Sequence, residues 1–88
     1  MAEILVVDDD SQAIEQTCNL IADIGHTSDF LVESRYLVAK LEAHWVDLIL
    51  LDVNMPDVDG LTLLKELKAH PTLNKIPVIM VTGETGEG

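Results

Sequence analysis

Four short apolar runs, three of them stopping abruptly at a polar residue, constrain this chain more than any other feature. Ile4-Leu5-Val6-Val7 ends at Asp8, Leu48-Ile49-Leu50-Leu51 ends at Asp52, and Val78-Ile79-Met80-Val81 ends at Thr82. Runs that are continuously apolar, rather than alternating, mark strands covered on both faces. A weaker run from about Thr27 to Val32 is expected at a sheet edge. Pro77 suits the entry to the last strand, where its missing N–H need not pair.

Helical periods fill the intervals. Asp10 or Ser11 can cap a helix in which Ile14, Cys18 and Ile21 recur at i, i+4 and i+7, with Leu20 and Ile24 beside them. Gly25 stands where the residue after a helix end adopts a left-handed conformation. Ser34 opens a second helix carrying Leu37, Val38 and Leu41. A loop from Val53 to Gly60 leads into a third, with Leu61, Leu64 and Leu67 expected on one stripe and His70-Pro71 as its break. The order β-α-β-α-β-α-β predicts an α/β fold: a doubly wound parallel sheet with right-handed crossovers and helices on both faces.

Composition bounds the functions open to such a fold. With 88 residues the chain is one small domain, spanning 1–88 without repeats or linkers. Its 16 acidic against 5 basic residues give a formal charge of −11, which argues against nucleic acid and anionic membrane as partners. A hydrophobic fraction of 48% argues against disorder. The single cysteine excludes an internal disulfide and fits a reducing, cytoplasmic setting. No apolar run approaches the ~20 residues of a membrane span. After Thr82 the sequence turns into Gly-Glu-Thr-Gly-Glu-Gly, expected to be a frayed tail at 83–88 or the opening of a further helix.

Chemistry-bearing residues sit where the strands stop. Asp8 and Asp9 follow the first strand, Asp52 the third and Thr82 the fourth. Open α/β sheets bind ligands at the carboxyl ends of their strands, where the strand order reverses. If the first and third strands are neighbours, these side chains share one crevice. Converging carboxylates repel one another and favour a hard cation such as Mg²⁺. Asp8-Asp9-Asp10 has no glycine, unlike the loops that cradle phosphate, which disfavours a flavodoxin-type or dinucleotide site.

ILVVDDD, LILLDVNMPDVDG and PVIMVTGE, in that order and spacing, resemble the receiver domain of two-component response regulators, the family that includes the chemotaxis regulators. The most specific stretch is Leu51-Asp52-Val53-Asn54-Met55-Pro56 followed by Asp59-Gly60. The resemblance implies a flavodoxin-like strand order, with four strands present and the final helix-strand-helix missing. It implies that Asp52 accepts a phosphoryl group from a histidine kinase or phosphotransfer protein. Asp8 and Asp9 would hold Mg²⁺ together with Asp52 and the backbone carbonyl of Asn54, with Asp9 the more direct ligand of the acidic pair. Thr82 would be the switch hydroxyl that bonds the phosphoryl group.

The sequence departs from the family in one respect that matters for chemistry. Members carry a lysine at the end of a fifth strand, and Lys40, Lys65, Lys68 and Lys75 are all expected on helices or before the fourth strand. This favours an alternative, a truncated or pseudo-receiver acting as an interaction or oligomerisation fragment. An uncovered fourth strand would also expose an edge and an apolar face, so self-association is expected. A haloacid-dehalogenase-type phosphatase would need an aspartate where Asn54 stands. The remaining candidates are expected to be structural. Asp10 and Asp59 read as helix caps, Asp57 as a loop residue, and Cys18 as a small buried hydrophobe. His26, His44 and His70 read as loop residues, Trp45 as core edge, and Glu84 and Glu87 as part of the solvated tail.

Overall fold

A computed structural model describes residues 1–52 and 60–81. In chain order the elements are β1 (Glu3–Val7), α1 (Ser11–Asp23), β2 (Thr27–Leu31), α2 (Leu37–Ala43), β3 (Leu48–Asp52), α3 (Gly60–Ala69) and β4 (Val78–Val81). Single 3₁₀ turns at Ser34–Tyr36 and Leu73–Lys75 lead into α2 and β4. The four strands are parallel, in the order β2-β1-β3-β4. The doubly wound sheet and its flavodoxin-like order are therefore as expected, and β2 lies at one edge.

Side chains alternate across the pleat and divide the core in two. Leu5, Val7, Ile49 and Leu51 face Leu37 and Leu41 of α2, Leu63 and Leu67 of α3, and Leu73 and Ile76 beyond it. Ile4 and Val6 face the other way, onto Ile14 and Ile21 of α1. That second layer is thin, and it reaches β4 poorly. Ile79 and Val81, which share the face of Leu50 and Asp52 by register, are 50% and 43% exposed.

Local signals place α1 closely. The Asp10 carboxylate accepts from the backbone N–H groups of Gln12 (3.0 Å) and Ala13 (3.5 Å), so Asp10 rather than Ser11 is the cap. At the far end Gly25 has φ +87°, its N–H donates to the Ala22 carbonyl, and the N–H of His26 donates to the Ile21 carbonyl. These paired bonds close the helix in the way that needs a glycine.

Two apolar stripes differ from expectation. On α3 the buried face is Gly60, Leu63 and Leu67, whereas Leu61 is 55% exposed and Leu64 lies between. Steps of three then four residues keep a row in line, while the steps of three joining Leu61, Leu64 and Leu67 rotate it away from the core. On α1, Leu20 and Ile24 are 66% and 70% exposed rather than shielded beside Ile21. The second helix also starts later than expected, since Ser34 opens the 3₁₀ turn that precedes α2.

Candidate functional site

The acidic site is a product of register. Val7 is the partner of Leu51 across the β1–β3 ladder, so both strands reach their carboxyl ends side by side. Asp8 follows immediately on β1 and Asp52 is the last residue of β3. The N–H of Asp8 donates to the Leu31 carbonyl of β2 (3.1 Å), carrying the ladder one residue past β1. The Asp8 carboxylate in turn accepts from the N–H of Asp10 (3.0 Å), which ties the site to the first turn of α1.

Carboxylate oxygens of Asp8, Asp9 and Asp52 all lie within 4.8 Å of one another. Asp52 is 8% exposed, Asp8 half-buried and Asp9 exposed, so the cluster grades from floor to solvent. Burial raises the Asp8 carboxyl from its ordinary 3.8 to about 6, opposed by the hydrogen bond from the Asp10 backbone. A hydrogen bond with Asp52 and the charges of Asp52 and Asp9 push it further up. Asp8, Asp52, Val6, Leu50, Thr17 and Val81 enclose a space of about 30 Å³. That volume suits a water-sized occupant.

The donor set fits a hard divalent cation. Three closely spaced carboxylates offer only oxygen ligands, and a cation among them would relieve the charge repulsion that adds to burial in raising the Asp8 carboxyl. The expected convergence of Asp8, Asp9 and Asp52 is therefore found. Asn54 and Thr82 lie outside the described residues, as do Asp57, Asp59, Glu84 and Glu87.

Each lysine sits where the sequence placed it. Lys40 of α2 bonds Asp29 at 3.0 Å, Lys65 and Lys68 are exposed on α3, and Lys75 ends the turn before β4, at the opposite end of the sheet from Asp52.

Sequence reasoning missed two features. The three histidines are loop residues as expected, but each is a structural acceptor or pair. His26 Nδ1 accepts from the N–H of Ala2, His44 Nε2 meets Glu3 at 2.7 Å, and His70 Nδ1 accepts from the N–H groups of Thr72 and Leu73. Such contacts join positions far apart in sequence and leave no local signal. The second is an apolar groove of about 280 Å³ between α1 and β2, where Cys18 is half-buried beside Phe30, Val32 and Ile14. Trp45 lies at the opposite end of the sheet from the acidic cluster and is half exposed rather than packed.

Comparison with known proteins agrees with this architecture. Residues 4–87 match the family described as the response regulator receiver domain. The chain is 37% identical over 92 residues to the response regulator PleD of Caulobacter vibrioides, covering 99% of this chain and 19% of that protein. It is 35% identical over 89 residues to a chemotaxis protein CheY homolog of Campylobacter jejuni, covering 97% of this chain and 67% of that one. Among solved structures, the N-terminal domain of a response regulator receiver protein from Methanoculleus marisnigri superposes with a TM-score of 0.90 at 30% identity, covering 96% of this chain and 68% of its own. No helix among the described residues is long and apolar enough to cross a membrane. Strand order, the acidic cluster at the strand ends and these matches together place the chain in the response regulator receiver domain family.

Proposed function

We propose that this receiver domain is a phosphoacceptor, taking a phosphoryl group on Asp52 from a phosphohistidine of a histidine kinase or phosphotransfer protein in the cytoplasm. The observation that carries the reading is the position of Asp52, which is almost fully buried yet within 4.8 Å of two further carboxylates at the mouth of the sheet. Asp8, Asp9, Asp52 and the backbone carbonyl of Asn54 would hold Mg²⁺, which supplies the positive charge that lets an anionic nucleophile approach an anionic phosphoryl group.

The chain's own residues then do the rest. An Asp52 oxygen forms the new O–P bond as the N–P bond of the donor breaks, and the departing imidazole takes the electron pair and a proton. Val6, Leu50 and Val81 line the Asp52 side of the site with apolar surface. Thr82 donates its hydroxyl to a phosphoryl oxygen, a contact that exists only in the phosphorylated state and so biases a two-state element. The domain acts as a signalling module, and its chemistry is limited to gaining and losing this one group. The single free thiol, Cys18, fits a reducing compartment.

Incubation with Mg²⁺ and a small phosphodonor should add one phosphoryl group by intact-mass spectrometry, and Asp52→Asn should abolish it. A folded chain that takes up Mg²⁺ yet gains no adduct would overturn the proposal. A second reading is a pseudo-receiver that serves as an interaction fragment and cannot take up the phosphoryl group. Calorimetric titration separates the two, because a degenerate site would bind Mg²⁺ weakly or not at all. In either reading the half-exposed apolar face of β4 supports self-association.

A further inference from the structure

The apolar groove between α1 and β2 has no part in the chemistry at Asp52. Ile14 and Cys18 form its α1 wall, Phe30 and Val32 the wall opposite, and the space between them is about 280 Å³. Phe30 and Val32 are 54% and 41% exposed, so that wall is apolar surface open to solvent. Val6 packs on α1 and is the partner of Phe30 across the β1–β2 ladder, which puts Phe30 on the α1 face of the sheet. Every lining residue lies between positions 11 and 32, on the side of the sheet away from β4. The volume falls just below the ~300–1,000 Å³ of pockets that take a whole ligand, and suits a few anchoring side chains.

Charge around the groove has one sign. Glu15 lines it, Asp9 and Asp10 stand just before Ser11 at one end, and Glu33 follows Val32. No lysine or arginine lies within two residues of a lining position, and Arg35, the nearest in sequence, meets Glu33 at 3.4 Å on the exposed surface. An apolar trough rimmed by carboxylates complements apolar side chains carried between cations. Each copy of this chain carries −11, which disfavours a second copy as the occupant.

The backbone of β2 selects the form of the occupant. Thr27 donates its N–H to the Ala2 carbonyl and Leu31 accepts from Asp8, so these residues turn their backbone groups toward β1. Successive residues alternate, so the N–H of Phe30 points away from the sheet. It is already taken: the Asp29 carboxylate accepts from it at 2.7 Å, and the other Asp29 oxygen is held by Lys40 at 3.0 Å. A strand edge with its outward donor occupied and a charge fixed beside it resists strand addition. A helix makes no such demand, because its own backbone is satisfied and it docks through side chains at i, i+3, i+4 and i+7. We propose that the groove docks a basic amphipathic helix of a partner protein. Its apolar side chains seat between Ile14, Cys18 and Phe30, and its lysines or arginines lie against Glu15 and Glu33.

Docking here is independent of phosphoacceptance, which the mass measurement reads separately. The test follows, by fluorescence anisotropy, a labelled peptide of about 18 residues with leucines at i, i+3, i+4 and i+7 and lysines on its other face. Binding that weakens with added salt is expected. Two control peptides, one with glutamates for the lysines and one with alanines for the leucines, should each bind at least about tenfold more weakly. Cys18→Phe, which fills the groove, and Glu15→Lys, which reverses its charge, should weaken binding by a similar factor at unchanged far-UV circular dichroism. If Cys18→Phe loses its native spectrum, Phe30→Ser replaces it and removes the exposed wall instead. In the wild-type chain, saturating peptide should slow alkylation of Cys18 by iodoacetamide. Equal affinity for the alanine peptide, equal affinity of the groove variants, or alkylation indifferent to the peptide would each overturn the proposal. So would alkylation that slows with the concentration of the chain itself, the mark of a second copy in the groove, or a gain of β signal on binding, the mark of an added strand.

Discussion

Asp8 and Asp52, one just past β1 and the other at the end of β3, bring carboxylate oxygens within 4.8 Å of each other. Burial, aided by the neighbouring Asp52 and Asp9 charges, lifts the Asp8 carboxyl to about 6. A divalent cation at the cluster would compete with a proton for Asp8.

The pH dependence follows in sign. Asp8 binds its proton more tightly folded than unfolded, so between pH 3.8 and about 6 the native state carries more protons. Its contribution to stability is best below that window and is lost as pH rises through it. Without metal, Asp8→Asn should raise the melting temperature at neutral pH by a few degrees, since ~1 kcal/mol is worth about 4–8 °C at this size. Mg²⁺ should reverse the trend, binding more tightly above pH 6 than below it. Melts across pH with and without Mg²⁺ check both, and a wild-type apo curve that climbs from pH 4.5 to 7 would contradict the assignment to Asp8.

Asp10 caps α1 through Gln12 and Ala13. Asp10→Ala should cost about 1 kcal/mol in urea unfolding, and Asp10→Ser should recover most of it. The cap neighbours the Asp8–Asp10 backbone bond, so the Ala variant should also weaken Mg²⁺ binding.

Gly25 has open space where a Cβ would stand, with nothing within 4 Å. The cost of Gly25→Ala is therefore backbone strain alone, about 1–2 kcal/mol at φ +87°. Gly25→Asn should cost less, and chemical denaturation of the pair measures the difference.

His70 holds the turn between α3 and β4: its Nδ1 accepts from Thr72 and Leu73, and its Nε2 meets Glu42 at 3.0 Å. His70→Ala leaves those donors without their acceptor and should cost about 1–3 kcal/mol. Glu42→Gln, at an exposed carboxylate, should change stability by less than about 0.5 kcal/mol. Equal effects of the two in urea melts would show that the Glu42 contact, not the cap, carries the turn.

The elements and their order were legible because each strand is a continuous apolar run and each helix has a boundary residue that works locally. Asp10 accepts from backbone two and three residues on, and Gly25 takes a conformation that other residues resist. Asp8, Asp9 and Asp52 were also legible, since parallel strands of matched length bring their ends together. The α3 stripe was not. Leu61, Leu63, Leu64 and Leu67 offer overlapping helical rows, and only the approach of α3 to Leu5 and Ile49 selects Leu63 and Leu67. The histidine contacts were equally hidden, because Ala2 and His26, Glu3 and His44, and Glu42 and His70 meet only through the fold.

By itself the sequence determined that this is a doubly wound parallel sheet with acids at its strand ends, because local periodicity and chain direction suffice for that. Tertiary structure alone decided how far the Asp8 carboxyl is raised, which depends on a separation of a few ångströms from Asp52 and on burial. It also decided that Leu63 and Leu67, and not Leu61, form the buried row of α3, since burial belongs to neighbours in space and not to the residues themselves.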